Sequence, residues 1–76
     1  MKRKILITGA AGYIGSFLTT KLVAMGHEII AVDNLSLNKN SLSHLFLNKN
    51  FSFIKGYVRD KKLISKIIKK VDYIIP

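Results

Sequence analysis

The sequence contains no cysteine. That excludes a disulfide framework, a thiolate nucleophile and any Cys-ligated zinc. Histidine is nearly as scarce: His27 and His44 stand alone, at no spacing that suggests a metal site. Acidic residues are few, four Asp and Glu against thirteen Lys and Arg, for a net charge of +9. Such a balance raises nucleic acid or an anionic membrane as partners. Eight of the thirteen cations fall between Lys49 and Lys70. The lysines of residues 61–70 carry no interleaved aromatics to stack on bases, and no nucleic-acid motif is present. They read as a solvated helix face rather than a nucleic-acid surface. No apolar run approaches the ~18 residues of a membrane span. The basic start Met1-Lys2-Arg3-Lys4 is not followed by a signal-peptide core, because the apolar run breaks at Thr8-Gly9. A cytoplasmic protein with no membrane partner is expected. At 76 residues the chain makes at most one small domain, and 49% apolar content argues against disorder.

What the sequence does contain is organised around residues 5–15. The apolar run Ile5-Leu6-Ile7 ends at Thr8, and Gly9, Gly12 and Gly15 follow at a spacing of three. A helical pattern then begins. Strand, glycine turn and helix in that order form the context that gives a glycine motif meaning. Gly9 lets the chain turn sharply, through a conformation with positive φ. Gly12, lacking a Cβ, lets a phosphate approach the backbone, and Gly15 lets the helix lie close on the strand. The N–H groups near Tyr13 and Ile14 then face an anion with the positive end of the helix dipole. A second apolar run, Ile29-Ile30-Ala31-Val32, ends in Asp33, 18 residues after Gly15. A carboxylate there suits ribose hydroxyls. Together these features point to a dinucleotide ligand. Asp33 favours NAD over NADP, since a carboxylate repels a 2′-phosphate.

The remaining pattern is a βαβ one. Strands are expected at Lys4–Thr8, Glu28–Val32, Phe51–Lys55 and from Val71. Both faces of the first strand are apolar, as in a parallel sheet covered on both sides. The first helix is expected over Tyr13 to Met25, with Ile14, Phe17, Leu18, Leu22 and Met25 as its core stripe and Gly26 as its C-terminal cap. A second helix over 61–70 places Leu63, Ile64, Ile67, Ile68 and Val71 on one face and its lysines on the other. Asp60 is its N-cap. Residues 34–50 read as a polar connection with one short helix at Leu42, Leu45 and Phe46. His27 is expected to be exposed, and His44 has no evident partner.

Thr8-Gly9-Ala10-Ala11-Gly12-Tyr13-Ile14-Gly15-Ser16, with Val32-Asp33-Asn34-Leu35-Ser36, resembles the start of the extended short-chain dehydrogenases/reductases. These are the NAD-dependent nucleotide-sugar epimerases and dehydratases, such as UDP-glucose 4-epimerase. The resemblance implies an α/β fold, the first half of a doubly wound Rossmann-type parallel sheet with strand order 3-2-1-4, truncated. It implies NAD as cofactor and puts Asn34 and Ser36 near the adenosine, with the backbone near Val58 beside the adenine. The family often has Gly-Asp-Ile-Arg-Asp where this chain has Gly56-Tyr57-Val58-Arg59-Asp60. Tyr57 therefore replaces an Asp that accepts from the adenine amino group, and weaker adenine recognition is expected.

The family's catalytic residues, a Ser or Thr and a Tyr-x-x-x-Lys pair, lie downstream of the region matched. Tyr57 and Lys61 fit that spacing formally but straddle a strand-to-helix loop, so they are not assigned the role. The expectation is one partial NAD-binding domain over residues 1–76, without catalytic or substrate-binding regions and without turnover by itself. A nucleotide sugar would be a substrate only of a full-length form, and a partner chain is one way to complete the fold. A non-catalytic NAD-sensing module and, third, a basic nucleic-acid-binding module are the alternatives.

Overall fold

The computed structural model describes residues 2–35 and 40–76. Strand β1 (Lys4–Thr8) leads through the glycine turn into helix α1 (Tyr13–Ala24), and β2 (Glu28–Asp33) follows. A short 3-10 turn at Ser43–Leu45 precedes β3 (Phe51–Lys55), helix α2 (Lys61–Ile68) and β4 (Tyr73–Ile75). The four strands form one parallel sheet in the order β3-β2-β1-β4. The α/β fold and the 3-2-1-4 order expected from the sequence are both present.

Alternation along the strands divides the core in two. Ile5, Ile7, Ile29 and Ala31 join the layer beneath α1, with Leu42, Leu45 and Phe51. Leu6 and Val32 join the opposite layer with Ile67 of α2. The apolar run of β1 is thus covered on both faces, and Leu6, Ile7, Ile29 and Val32 are almost fully buried. Each such side chain contributes about 1.5–3 kcal/mol. Beyond the short turn, Phe46 remains exposed and lies with its ring 6.0 Å from those of Phe51 and Phe53.

Helix α2 behaves as its pattern predicts, with one difference. Ile67 is buried and Leu63 packs beside it, but Ile68, expected inside, is 44% exposed at the helix end. Asp60 caps the first turn, accepting the Leu63 N–H at 3.2 Å. Helix α1 departs further from expectation. Its buried residues are Thr19 and Val23, whereas Ile14, Phe17 and Met25 of the expected stripe are exposed. The cause is the tight seat at Gly15. A helix lying so close to the sheet has room only for small side chains one and two turns later, at Thr19 and Val23. Of the expected stripe Leu22 still packs against the core, while Ile14, Phe17 and Met25 face away. The helix ends in a Schellman pair, Gly26 N–H to Val23 O (3.0 Å) and His27 N–H to Leu22 O (3.2 Å).

The few carboxylates all have structural work among the described residues. Glu28 pairs with Lys4 at 3.1 Å and Lys2 at 3.8 Å. Asp72 accepts the Lys4 N–H at 2.9 Å, holding β4 to β1. His27, expected to be exposed, is half-buried and its Nδ1 accepts the Arg3 N–H at 3.1 Å.

Candidate nucleotide-binding site

The carboxyl ends of parallel strands collect the turns that leave them, and here three segments converge: the glycine turn after β1, Asp33 and Asn34 after β2, and Gly56 to Arg59 after β3. They line a cleft of about 270 Å³ whose walls are Gly9, Val32, Asp33, Asn34, Gly56, Tyr57, Val58 and Arg59. In open α/β sheets, ligands bind in this crevice.

The glycines of the turn are needed for different reasons. Gly9 has φ +67°, the left-handed region that side chains disfavour. Its N–H donates to Val32 O at 2.9 Å, and its carbonyl accepts the Gly12 N–H at 3.2 Å. A Cβ at Gly15 would stand 2.4 Å from Gly9 O and 3.1 Å from Ala10 Cα, a clash with rigid backbone. Gly12 differs from both. Its backbone is extended (φ −69°, ψ 174°), and a Cβ there would meet only Gly9 O, at 3.4 Å, the near edge of ordinary contact. Neither conformation nor internal packing demands glycine at 12, so its bare Cα leaves space on the outer side.

Gly12 is the N-cap of α1, and no side chain caps that end. The first turn carries no acidic residue, and Tyr13 and Ile14 are 92% and 76% exposed. The positive end of the helix dipole is therefore open to an anion.

Asp33 ties the site together. Its Oδ2 accepts the Ala11 N–H at 2.9 Å and its Oδ1 the Leu35 N–H at 2.7 Å. The first bond fixes the glycine turn to the end of β2. The second holds Leu35 at φ +59°, a strained conformation for a side chain without a polar group. A carboxylate has about four lone-pair positions, so two backbone bonds leave capacity for further donors. Val58 and Asn34 line the same cleft. Tyr13, Ile14 and Gly15 stand on the adjoining first turn of α1, and Ser36 lies outside the described residues.

Sequence reasoning missed Ser41. Its Oγ donates to Ala11 O at 2.7 Å, a second tie on the glycine turn from 30 residues away. Nothing in the local pattern around Ser41 marks it. His44, without a partner on sequence grounds, shares a hydrogen bond with Thr20 Oγ1 at 2.8 Å. Among the described residues no cluster could hold a metal ion, and no helix is long and apolar enough to cross a membrane.

Comparison with known proteins bears on the whole chain. The sequence is 40% identical over 73 residues to a putative UDP-glucose 4-epimerase of Methanocaldococcus jannaschii, covering 93% of this chain and 22% of that protein. It is 39% identical over 72 residues to UDP-glucuronic acid decarboxylase 1 of Arabidopsis thaliana, covering 93% of this chain and 15% of the relative. The fold matches dTDP-glucose 4,6-dehydratase of Bacillus anthracis str. Ames, solved in complex with NAD, with TM-score 0.83 and 32% identity over 95% of this chain and 25% of that one. The chain thus spans a quarter or less of the length of each. The sequence model of the NAD dependent epimerase/dehydratase family matches residues 5–76, and the chain belongs to that family.

Proposed function

We propose that the chain binds NAD, as the N-terminal dinucleotide-binding portion of a nucleotide-sugar epimerase or dehydratase. The observation that carries this reading is the bond between Asp33 and the Ala11 N–H, which ties the carboxylate lining the cleft to the turn that leads into an uncapped helix start. The pyrophosphate lies against the first turn of α1, at the bare Cα of Gly12 and the N–H groups of Tyr13, Ile14 and Gly15. Gly9 keeps the turn out of its way. Asp33 accepts from the adenosine ribose with the lone pairs its backbone bonds leave. Asn34, Ser36 and the backbone at Val58 complete the adenosine end.

When bound, NAD supplies a hydride acceptor at its nicotinamide. This chain's own residues bind and orient. Its tyrosines, Tyr13, Tyr57 and Tyr73, have no helical Tyr-x-x-x-Lys partner, so turnover and the nucleotide sugar belong to a longer form that carries the rest of the family's length.

Calorimetric titration of the 76-residue chain with NAD⁺, with NADP⁺ as control, tests the reading. Preferential NAD⁺ binding supports it, and Asp33→Ala should weaken that binding at least about tenfold, the scale of one charged hydrogen bond. Undiminished affinity in the folded variant removes the ribose contact. Absence of NAD⁺ binding by the folded parent chain removes the reading itself.

A further inference from the structure

Ala11 precedes Gly12, the N-cap of α1, and both its backbone polar groups are bonded to side chains from later in the chain. Asp33 Oδ2 accepts its N–H at 2.9 Å, and Ser41 Oγ donates to its carbonyl at 2.7 Å. A peptide unit is planar, so the Ala11 carbonyl and the Gly12 N–H move as one body. Ser41 holds the carbonyl, and Gly9 O accepts from the N–H at 3.2 Å. The peptide just before the open end of the helix is therefore fixed at both edges. Glycine imposes little on its own backbone, and Gly9 and Gly12 flank this stretch. Ties from outside supply the restraint that the turn's own residues lack.

The Ser41 tie is itself anchored. Its neighbour Leu42 is 2% exposed and, with Leu45, joins the core layer beneath α1. Thr20 Oγ1 donates its one proton to Ser16 O at 2.8 Å, so in its 2.8 Å contact with His44 the Nε2–H is the donor. Residues 41–45 are thus fastened at Ala11, at Thr20 on α1, and in the core by two leucines. Ser41 does not line the cleft at the strand ends; it lines a groove on the outer side of α1. It acts on the anion end of the site through the Ala11 peptide.

We infer that Ser41 is a positioning residue for the pyrophosphate: its hydroxyl holds the Ala11–Gly12 peptide in the orientation from which the N–H groups of Tyr13 and Ile14 meet the anion. This rests on the dinucleotide reading above and adds a residue that works without touching the ligand. Asp33 and Ser41 clamp one residue of the turn from its two sides, N–H and carbonyl. A turn ordered in advance loses less freedom when the anion arrives, and the affinity rises accordingly.

The test is calorimetric titration of the 76-residue chain with NAD⁺, with the phosphorus NMR resonances of the saturated complex as a second readout. Ser41→Ala should weaken NAD⁺ binding about fivefold, the scale of one neutral hydrogen bond, and move the pyrophosphate resonances. Ser41→Thr keeps the hydroxyl and should bind within about twofold of the parent. Ser43→Ala loses a bond to Asn40 O inside the same segment and should leave both readouts at the parent's values. His44→Ala frees the segment from Thr20 but not from Ala11, and should also leave the resonances in place. Parent-like affinity in folded Ser41→Ala overturns the inference and leaves the dinucleotide site standing. So do unmoved resonances beside a weakened affinity, a folded Ser41→Thr as weak as Ser41→Ala, or an equal effect in His44→Ala, since each would mean that the Ser41 hydroxyl does not orient the turn. Ser41→Cys, a weak donor, is read in the same way if the alanine variant does not fold. Absence of NAD⁺ binding by the folded parent overturns the dinucleotide reading and the inference together.

Discussion

The two helices cover opposite faces of one sheet, yet they are finished differently. Helix α2 is amphipathic. Ile67 and Leu63 point into the core, the lysines at 61, 62, 66, 69 and 70 are exposed, and Asp60 caps its start. Helix α1 has small residues inward at Gly15, Thr19 and Val23, exposed apolar residues outward at Ile14, Phe17 and Met25, and no side-chain cap. The first arrangement is what a helix needs to cover a sheet and face water. In the second, close seating and an open N-terminus leave room for an anion at the glycine turn. A groove of about 780 Å³ runs along the outer side of α1, past Ile14, Phe17 and Met25. It is larger than the cleft at the strand ends and mostly apolar, and it begins at Tyr13 and Ile14 of the same first turn, but Asp33 does not line it.

The sharpest way to break this comparison is at the seats of the helices. In Gly15→Val the Cβ would stand 2.4 Å from the backbone oxygen of Gly9, which is fixed by the turn. The helix must lift off β1, at a cost of about 3 kcal/mol or more. Just after β3, Gly56→Ala meets only the end of the side chain of Leu63 from α2, at 2.7 Å. That side chain can turn away, and the loss should stay below about 1 kcal/mol. Urea denaturation of the two variants measures the difference. Equal losses would mean that α1 is not seated more tightly than α2.

Next in size is the cap. Asp60→Ala removes the acceptor of the Leu63 N–H and should cost about 1 kcal/mol, read as a lower urea midpoint. Helix α1 has no equivalent to lose, because its Ncap is Gly12. It offers the opposite change. Thr19 is fully buried, and its hydroxyl finds no hydrogen-bond partner among the described residues. Thr19→Val keeps the shape and removes the orphaned group, so a gain of up to about 1 kcal/mol is expected. A loss in that variant would show that the hydroxyl is satisfied in the folded chain.

The same contrast explains what was legible in the sequence. The strand order came with the family resemblance, whereas α2 and its cap followed from helical period and Asp60, both local signals. The glycine spacing and the acid at the end of β2 pointed to the turn and the carboxylate that meet at the candidate cleft. The inward face of α1 was misread because hydrophobicity was taken as the guide to burial. Close approach at Gly15 reverses that guide, selecting Thr19 over Phe17. The double engagement of Asp33, the left-handed Leu35 and the Ser41 bond to Ala11 depend on segments brought together by the sheet. Asp33 and Leu35 are two residues apart, but Ala11 lies outside any window of sequence around Asp33 or Ser41. The departure at Tyr57 was visible as a residue type, but the Arg59 guanidinium over its ring required the turn that presents both.

The smallest expected effect tests the outer face of α1 directly. Phe17 is 71% exposed, and its ring contributes little to the core beneath the helix. Phe17→Gln should therefore change stability by less than about 0.5 kcal/mol, the range of ordinary surface substitutions, despite replacing a large aromatic residue on a helix of the core layer. The hydrophobic term at stake is set by area removed from water on folding, and a side chain left mostly in water forfeits most of it. Thermal melts of the variant and parent decide the matter. A drop of several degrees would place Phe17 inside, return α1 to the amphipathic pattern of α2, and undo the explanation of Thr19 and Val23 as the residues that Gly15 admits.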